Sequence, residues 1–169
     1  VNVRDKLFMI DCGEGAQLQF RKSHLKFSRL NHIFISHLHG DHCFGLLGLI
    51  STLNLLGRTA ELHIHSPKGL ETLLTPMLDF FNRQMTYKVL FHEFDTKEPM
   101  LIYEDRSLTV TTIPLRHRMP CCGFLFAEKR RPNHIIREMV DFYQVPVYEL
   151  NRIKNGANYV TPEGKTVSN

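Results

Sequence analysis

Three histidines and an aspartate fall within six consecutive residues, His37-Leu38-His39-Gly40-Asp41-His42, and this cluster limits the chain to folds that can gather metal ligands at a strand end. The segment follows a β-branched and aromatic run, His32-Ile33-Phe34-Ile35-Ser36, and leads into a stretch with helical character. In extended chain His37 and His39 are two residues apart, so both imidazoles face one side. Gly40 permits a sharp turn that brings Asp41 and His42 back toward the same pocket. Three nitrogens and one carboxylate oxygen converging from so short a segment suit zinc. The competing reading is a polar strand-to-helix loop whose histidines cap or hydrogen-bond locally. A loop needs one such residue, and this one has four.

The flanking pattern supplies the scaffold. Leu7-Phe8-Met9-Ile10 is an apolar run closed by Asp11 and Gly13, as expected of a buried strand. Gly15 to Arg21 predicts a short helix with a basic end. From Phe44 to Leu56 apolar residues surround the helical wheel, which predicts a helix buried on most sides. Leu62-His63-Ile64-His65 is a further strand, and Ser66-Pro67-Lys68-Gly69 turns it into a helix running to about Phe81. Short strands follow at Tyr87 to Phe94, Met100 to Tyr103, Leu108 to Ile113 and Gly123 to Ala127. The order is β-α-β-α-β-α and then several strands in succession, an α/β layered protein with antiparallel pairing late in the chain. After Lys129-Arg130-Arg131-Pro132 the character changes. Asn133 to Tyr143 suits a helix, and Val145 onward, punctuated by Pro, Gly and Asn, predicts an extended excursion outside the main core. The expected division is therefore residues 1–131 and 132–169.

Composition narrows the setting. The 169 residues carry a net charge of +4, mild enough to permit an anionic partner without demanding one. The longest charge-free run, Cys43 to Gly57, is shorter than the roughly 20 residues that cross a bilayer, so no membrane span is expected. The N-terminus has no apolar signal region, and it also lacks an initiator Met. Four cysteines, Cys12, Cys43, Cys121 and Cys122, form no disulfide framework or zinc knuckle and suit a reducing cytoplasm. Among the ten histidines, His63 and His65 alternate on a strand without an accompanying carboxylate and are expected to be surface or satisfied strand histidines. His24, His32, His92 and His134 stand isolated in sequence. Vicinal Cys121-Cys122 are expected to be small buried thiols, and Asp79 with Arg83 an exposed helical ion pair.

The cluster, with the strand Ile33-Phe34-Ile35-Ser36 before it, resembles the H-x-H-x-D-H signature of the metallo-β-lactamase superfamily. Asp11 matches that superfamily's upstream aspartate, which orients the metal loop. Cys43-Phe44-Gly45-Leu46-Leu47-Gly48-Leu49, Asn54-Leu55-Leu56-Gly57-Arg58, Pro67-Lys68-Gly69 and Pro114-Leu115-x-His117-x-x-Pro120-Cys121-x-Gly123-Phe124 are similar to ribonuclease Z, a family of tRNA 3′-processing endonucleases. The resemblance covers most of residues 7 to 130. It implies an αββα sandwich, of which this chain supplies mainly the N-terminal half, with an extended arm near the C-terminus. It implies that His37, His39 and His117 hold one zinc, that Asp41 and His42 hold a second, and that Asp41 also accepts a proton. The implied reaction is removal of the 3′ trailer from precursor tRNA by a metal-activated water, in the cytoplasm and by a homodimer.

The departures from the family pattern shape the remaining expectations. Its later bridging aspartate, final histidine ligand and H-E-A-T loop have no counterpart before Asn169, and its glycine-rich first strand is expected before Val1. The stretch from Asn133 to Val167 stands where the family inserts a flexible arm that grips tRNA, although the usual Gly-Pro dipeptides are missing. Arg152, Lys154 and Lys165 are the candidate phosphate contacts there; a solvated loop is the alternative. Taken alone, the chain is expected to hold one zinc in preference to two and to be inactive. Its strands near Leu7 and Ile33 are expected to lack the cover of a partner sheet. The rival functions are another hydrolase on the same fold and an inactive tRNA- or partner-binding half-domain.

Overall fold

A strand such as Leu7-Phe8-Met9-Ile10 carries large apolar side chains on both faces, so it is stable only where both are covered. The structure, a computed structural model describing residues 1–169, covers both. Residues Val1–Glu128 form one compact unit and Lys129–Asn169 a second, a division three residues earlier than the expected one.

In the first unit β1 (Asn2–Val3) pairs antiparallel with β2 (Lys6–Ile10). Strands β3 (Leu30–Phe34), β4 (Leu62–Pro67) and β5 (Val89–Phe94) follow in parallel, giving the order β1-β2-β3-β4-β5. Met9, Ile33, Ile64 and Phe91 lie in register across the four parallel strands. The crossovers are α1 (Ala16–Lys22), α2 (Gly40–Cys43) with α3 (Gly45–Leu55), and α4 (Leu70–Phe81). Leu46, Leu49, Ile50 and Leu53 of α3 and Leu70, Leu74 and Leu78 of α4 bury against Leu7, Ile33, Leu62 and Ile64. Period-two alternation sends Phe8 and Phe34 to the opposite face. There they meet Leu108 and Val110 of a second, antiparallel sheet made of β6 (Leu101–Glu104), β7 (Leu108–Leu115) and β8 (Cys121–Glu128).

The layering is helix, sheet, sheet, and it corrects the expectation that Leu7 and Ile33 would be uncovered. Ile33 is wholly buried, Leu7 is 6% exposed, and the partner sheet lies within the chain. A two-residue strand, Asn2–Val3, also starts the sheet where none was expected. It is too short for any periodicity to announce it, and Arg4 and Asp5, both at positive φ, form its turn.

Four of the histidines away from the metal loop are neither isolated nor all satisfied. Adjacent parallel strands bring His32, His63, His65 and His92 into one group of near-parallel rings. Centroids lie 4.7 Å apart for His32–His63, 5.2 Å for His63–His92 and 4.8 Å for His65–His92. Two nitrogen contacts close the group, His32 Nδ1 to His65 Nε2 at 3.2 Å and His63 Nδ1 to His92 Nε2 at 2.9 Å. His65 is buried and its Nδ1 has no partner. Tyr103 packs edge-on against His32, and its hydroxyl donates to Asp105, which also binds Lys6. Burial first, and then the neighbouring imidazoles, push the pKa of His65 down to about 3 and that of His32 to about 4. The pKa of His63 is lowered for the same reasons.

The second unit contains α5 (Arg137–Phe142), α6 (Val147–Lys154) and a hairpin of β9 (Tyr159–Val160) with β10 (Thr166–Val167). The expected helix from Asn133 begins four residues later. Asn133 is held by Lys154, its N–H donating to that carbonyl, and Ile136 keeps an extended backbone. The expected extended excursion is wrong at Val147–Lys154, which is helical. Pro146 precedes it in a preset conformation, Glu149 lies in its first turn, and Gly156 follows it at positive φ. No helix of the chain is long and apolar enough to cross a membrane.

Histidines with depressed pKa leave the folded state binding fewer protons than the unfolded chain in acid. Their contribution is therefore intact above pH 6.5 and is lost as pH falls toward 4 and 3. With metal chelated, the thermal midpoint followed by circular dichroism is expected to drop by roughly 5 °C or more between pH 7 and pH 5. His65→Phe, which keeps an aromatic ring against Phe34, should flatten that slope. Equal slopes in the two proteins would remove the histidine group from the explanation.

Candidate metal centre

Both parallel strands that open the site end beside each other, and Asp11 joins them. Its N–H donates to Phe34 O at 2.8 Å, and its backbone stands at φ 57°, a left-handed conformation that Asp tolerates better than most residues. The carboxylate then accepts three bonds: Ser36 N at 2.8 Å, Ser36 Oγ at 2.9 Å and His42 Nδ1 at 2.8 Å. Backbone bonds reinforce the junction, from Cys12 N to His42 O at 2.7 Å and from Gly45 N to Cys12 O at 2.8 Å. A Cβ at Gly13 would stand 2.1 Å from Asp41 O, and one at Gly45 would stand 2.0 Å from Gly13 O. Only glycine permits this approach of the Asp11 turn to the histidine loop.

The loop delivers its side chains as the spacing predicts. His37 and His39 point together, with His37 Nε2 3.1 Å from His39 Nδ1. His117, in the turn between β7 and β8, brings Nε2 to 3.2 Å from the same His39 nitrogen. One ligand atom from each of His37, His39 and His117 lies within 4.8 Å of the others. Ligands bound at about 2.0–2.1 Å in a tetrahedron stand about 3.3–3.4 Å apart, so this donor set fits a zinc-sized cation. His37 is buried, and its other nitrogen lies 3.0 Å from Ser36 Oγ, which leaves Nε2 directed into the triad. Burial, followed by the neighbouring His42, His39 and His117, lowers its pKa and favours the neutral, ligating form.

Asp41 and His42 stand beside the triad. With Nδ1–H donating to Asp11, His42 presents Nε2, which lies 3.4 Å from Asp41 Oδ2. The ring of His42 sits 3.9 Å from that of His37, whereas the Asp41 carboxylate is largely exposed. Asp11, His37, His39, Asp41, His42 and His117 are thus gathered at one end of the two sheets. Arg152, Lys154 and Lys165 belong to the second unit. There Arg152 is ion-paired to Glu149 at 2.7 Å and donates to Asn158 O. Two supports escape reading from the sequence alone. Ser36 bridges Asp11 and His37, and Cys122 N donates to Ser36 O at 3.1 Å, tying the second sheet to the loop. All four cysteines are buried free thiols.

Residues 7–135 match the family model described as the β-lactamase superfamily domain. The chain belongs to this superfamily. It is 80% identical over 169 residues to a protein named Ribonuclease Z from Bacteroides fragilis, and 79% identical to one from Bacteroides thetaiotaomicron. Both alignments cover all of the chain and 56% and 54% of the relatives, so the chain spans about half their length. The crystal structure of human tRNase Z, short form, superposes with a TM-score of 0.70 at 32% identity. That match covers 78% of this chain and 57% of the human one.

Asp11→Asn should keep the left-handed turn but lose one acceptor oxygen toward Ser36 and His42. Loss of such an orienting partner typically costs about 10–100-fold in metal affinity. Competition with a chromogenic chelator should show zinc affinity falling by that factor with the circular dichroism spectrum unchanged. Wild-type affinity would confine Asp11 to holding the turn.

Proposed function

We propose that this chain carries the metal-binding part of a zinc-dependent endoribonuclease that removes the 3′ trailer from precursor tRNA. The observation that carries this reading is the convergence of His37, His39 and His117 in a chain whose whole length aligns with about half of proteins named Ribonuclease Z. His37, His39 and His117 would hold one zinc, with Asp41 and His42 as ligands to a second. When bound, such ions supply a nucleophilic water at neutral pH and charge stabilisation for a phosphodiester displacement. The chain's own residues divide the remaining work. Asp11 and Ser36 fix the orientations of His42 and His37. Exposed Asp41, beside the Nε2 of His42, takes the proton.

The remaining parts of this reading rest on specific features. Leu73, Met77 and Phe80 follow one another along the outer face of α4 and are all exposed. An apolar stripe of that kind supports association with a second copy in a homodimer. Lys154 and Lys165 are the candidates in the second unit for phosphates of the tRNA body, whereas Arg152 is engaged by Glu149. Four free thiols and the absence of a spanning helix agree with a cytoplasmic setting. By itself the 169-residue chain offers the second ion only Asp41 and His42, and it is expected to hold one zinc and to cleave nothing.

Asp41→Ala in the full-length gene product is expected to lower precursor-tRNA cleavage by about 10²–10⁴-fold, the usual loss when a positioned proton acceptor is removed. Gel assays of trailer release under single-turnover conditions measure it. Activity within a few-fold of wild type would assign Asp41 a structural part only. Absence of cleavage by the unsubstituted protein, with zinc bound, would remove the endoribonuclease reading altogether.

A further inference from the structure

Arg58 closes the segment Asn54-Leu55-Leu56-Gly57-Arg58, and the metal centre makes no use of it. Gly57, at φ 73°, turns the chain after α3, and Arg58 behind it is only 8% exposed. The guanidinium joins the starts of two strands. Nη1 donates to Leu30 O at 2.9 Å, and Nη2 donates to Asn31 Oδ1 at 2.8 Å and to Glu61 O at 2.5 Å. Its Cζ lies 5.4 Å from the centre of the Tyr87 ring. All three acceptors are neutral, and no carboxylate pairs with the charge. That of Glu61 lies 3.9 Å from His63 Nε2 instead. Burial lowers the pKa of Arg58, and Tyr87 alone counters it. Of the five N–H groups of a guanidinium, three are used, and Nε is buried with no partner. Buried charges are ordinarily paired, and this one has no counter-charge in the chain. Beside it is a cavity of about 260 Å³, which Arg58 lines. Ser28 and Thr59 bring hydroxyls to its wall, Phe27, Leu53, Leu56 and Ala60 bring apolar surface, and no acid lines it.

We propose that this cavity binds a small organic carboxylate, its anionic end on Arg58 and its apolar body against Phe27 and Leu56. Neutral acceptors orient a guanidinium without cancelling its charge, so an anion gains Coulomb energy in this desolvated place. A planar carboxylate also matches the fork of N–H groups. The walls then choose among anions. Inorganic phosphate is hydrated on every side and would lose that shell against Phe27 and Leu56. A carboxylate with a hydrocarbon body gains by burying it. The cavity is smaller than the roughly 300–1,000 Å³ that holds drug-sized ligands, which limits the body to about one ring. Arg58 sits at the starts of β3 and β4, whereas the histidine loop follows the end of β3, so the ligand is separate from the metal centre. The proposal does not depend on the endoribonuclease reading.

The test is isothermal titration calorimetry of the zinc-loaded full-length gene product with benzoate, acetate and inorganic phosphate at fixed ionic strength. Benzoate is expected to bind with a dissociation constant of about 1 mM, in keeping with the free energy available to so few atoms. Acetate, which has almost no body to bury, and phosphate should each bind at least tenfold more weakly. Arg58→Gln removes the charge and should weaken benzoate binding at least tenfold. That variant also loses part of the clamp on Leu30 and Glu61. If it unfolds, Ala60→Phe at an exposed position fills the cavity with Arg58 intact and should cause the same loss. Lys154→Ala with Lys165→Ala, in the second unit, should change benzoate affinity less than twofold. Benzoate affinity unchanged in the cavity variants, or no binding at twentyfold the expected constant, would overturn the proposal and leave a water to satisfy Arg58 Nε. Phosphate held more tightly than benzoate, and lost with Arg58, would overturn the carboxylate class.

Discussion

The carboxylate of Asp11 is the joint on which the metal centre depends. It receives the end of one strand through its own N–H to Phe34, and it ties the start of the histidine loop through Ser36. It also fixes which nitrogen His42 presents. A hydrogen bond to a charged acceptor contributes more than a neutral one, and three of them on one partly buried carboxylate hold three segments at once. The cost is a residue held at positive φ and two glycines pressed against neighbouring carbonyls. Strain at that turn is what allows ligands from a six-residue stretch to converge.

The layers behind the site explain why the turn does not relax. Strands β2 and β3 are each shared by two cores. Leu7 and Ile33 belong to the helical side, and Phe8 and Phe34 belong to the aromatic layer between the sheets. Moving either strand end would disturb packing on both faces, and tightly packed interiors transmit rather than absorb such shifts. The metal loop is therefore carried by a rigid platform, and exposed Asp41 at its rim is free to meet a ligand.

Much of this was legible in the sequence because the decisive signals are local. The apolar runs, the crossover helices and the strand-to-helix position of the histidine cluster follow from periodicity, and they agree with the structure within a few residues. What escaped depends on pairing between distant segments. Along the chain His32 and His92 look isolated and His63 and His65 look like surface or satisfied strand histidines, and only the parallel register of three strands stacks the four. The helix Val147–Lys154 was hidden by Pro146 and Gly156, which read as breakers of a loop but serve as the boundaries of a short helix. His117 could be linked to the cluster from 78 residues away only through family resemblance, since no spacing rule reaches that far.

The triad spans the interface between two independently hydrogen-bonded sheets. His37 and His39 leave the parallel sheet, while His117 comes from the turn of an antiparallel hairpin that can form from local contacts. The nitrogens meet only when the sheets are docked, so the site is complete only in the assembled sandwich. Any cation that binds there binds the docked sandwich and not its parts, and its occupancy adds to the free energy of folding. Each tenfold of free cation above the dissociation constant deepens that well by about 1.4 kcal/mol. The histidine triad would, in this sense, also be a fastener between the two sheets.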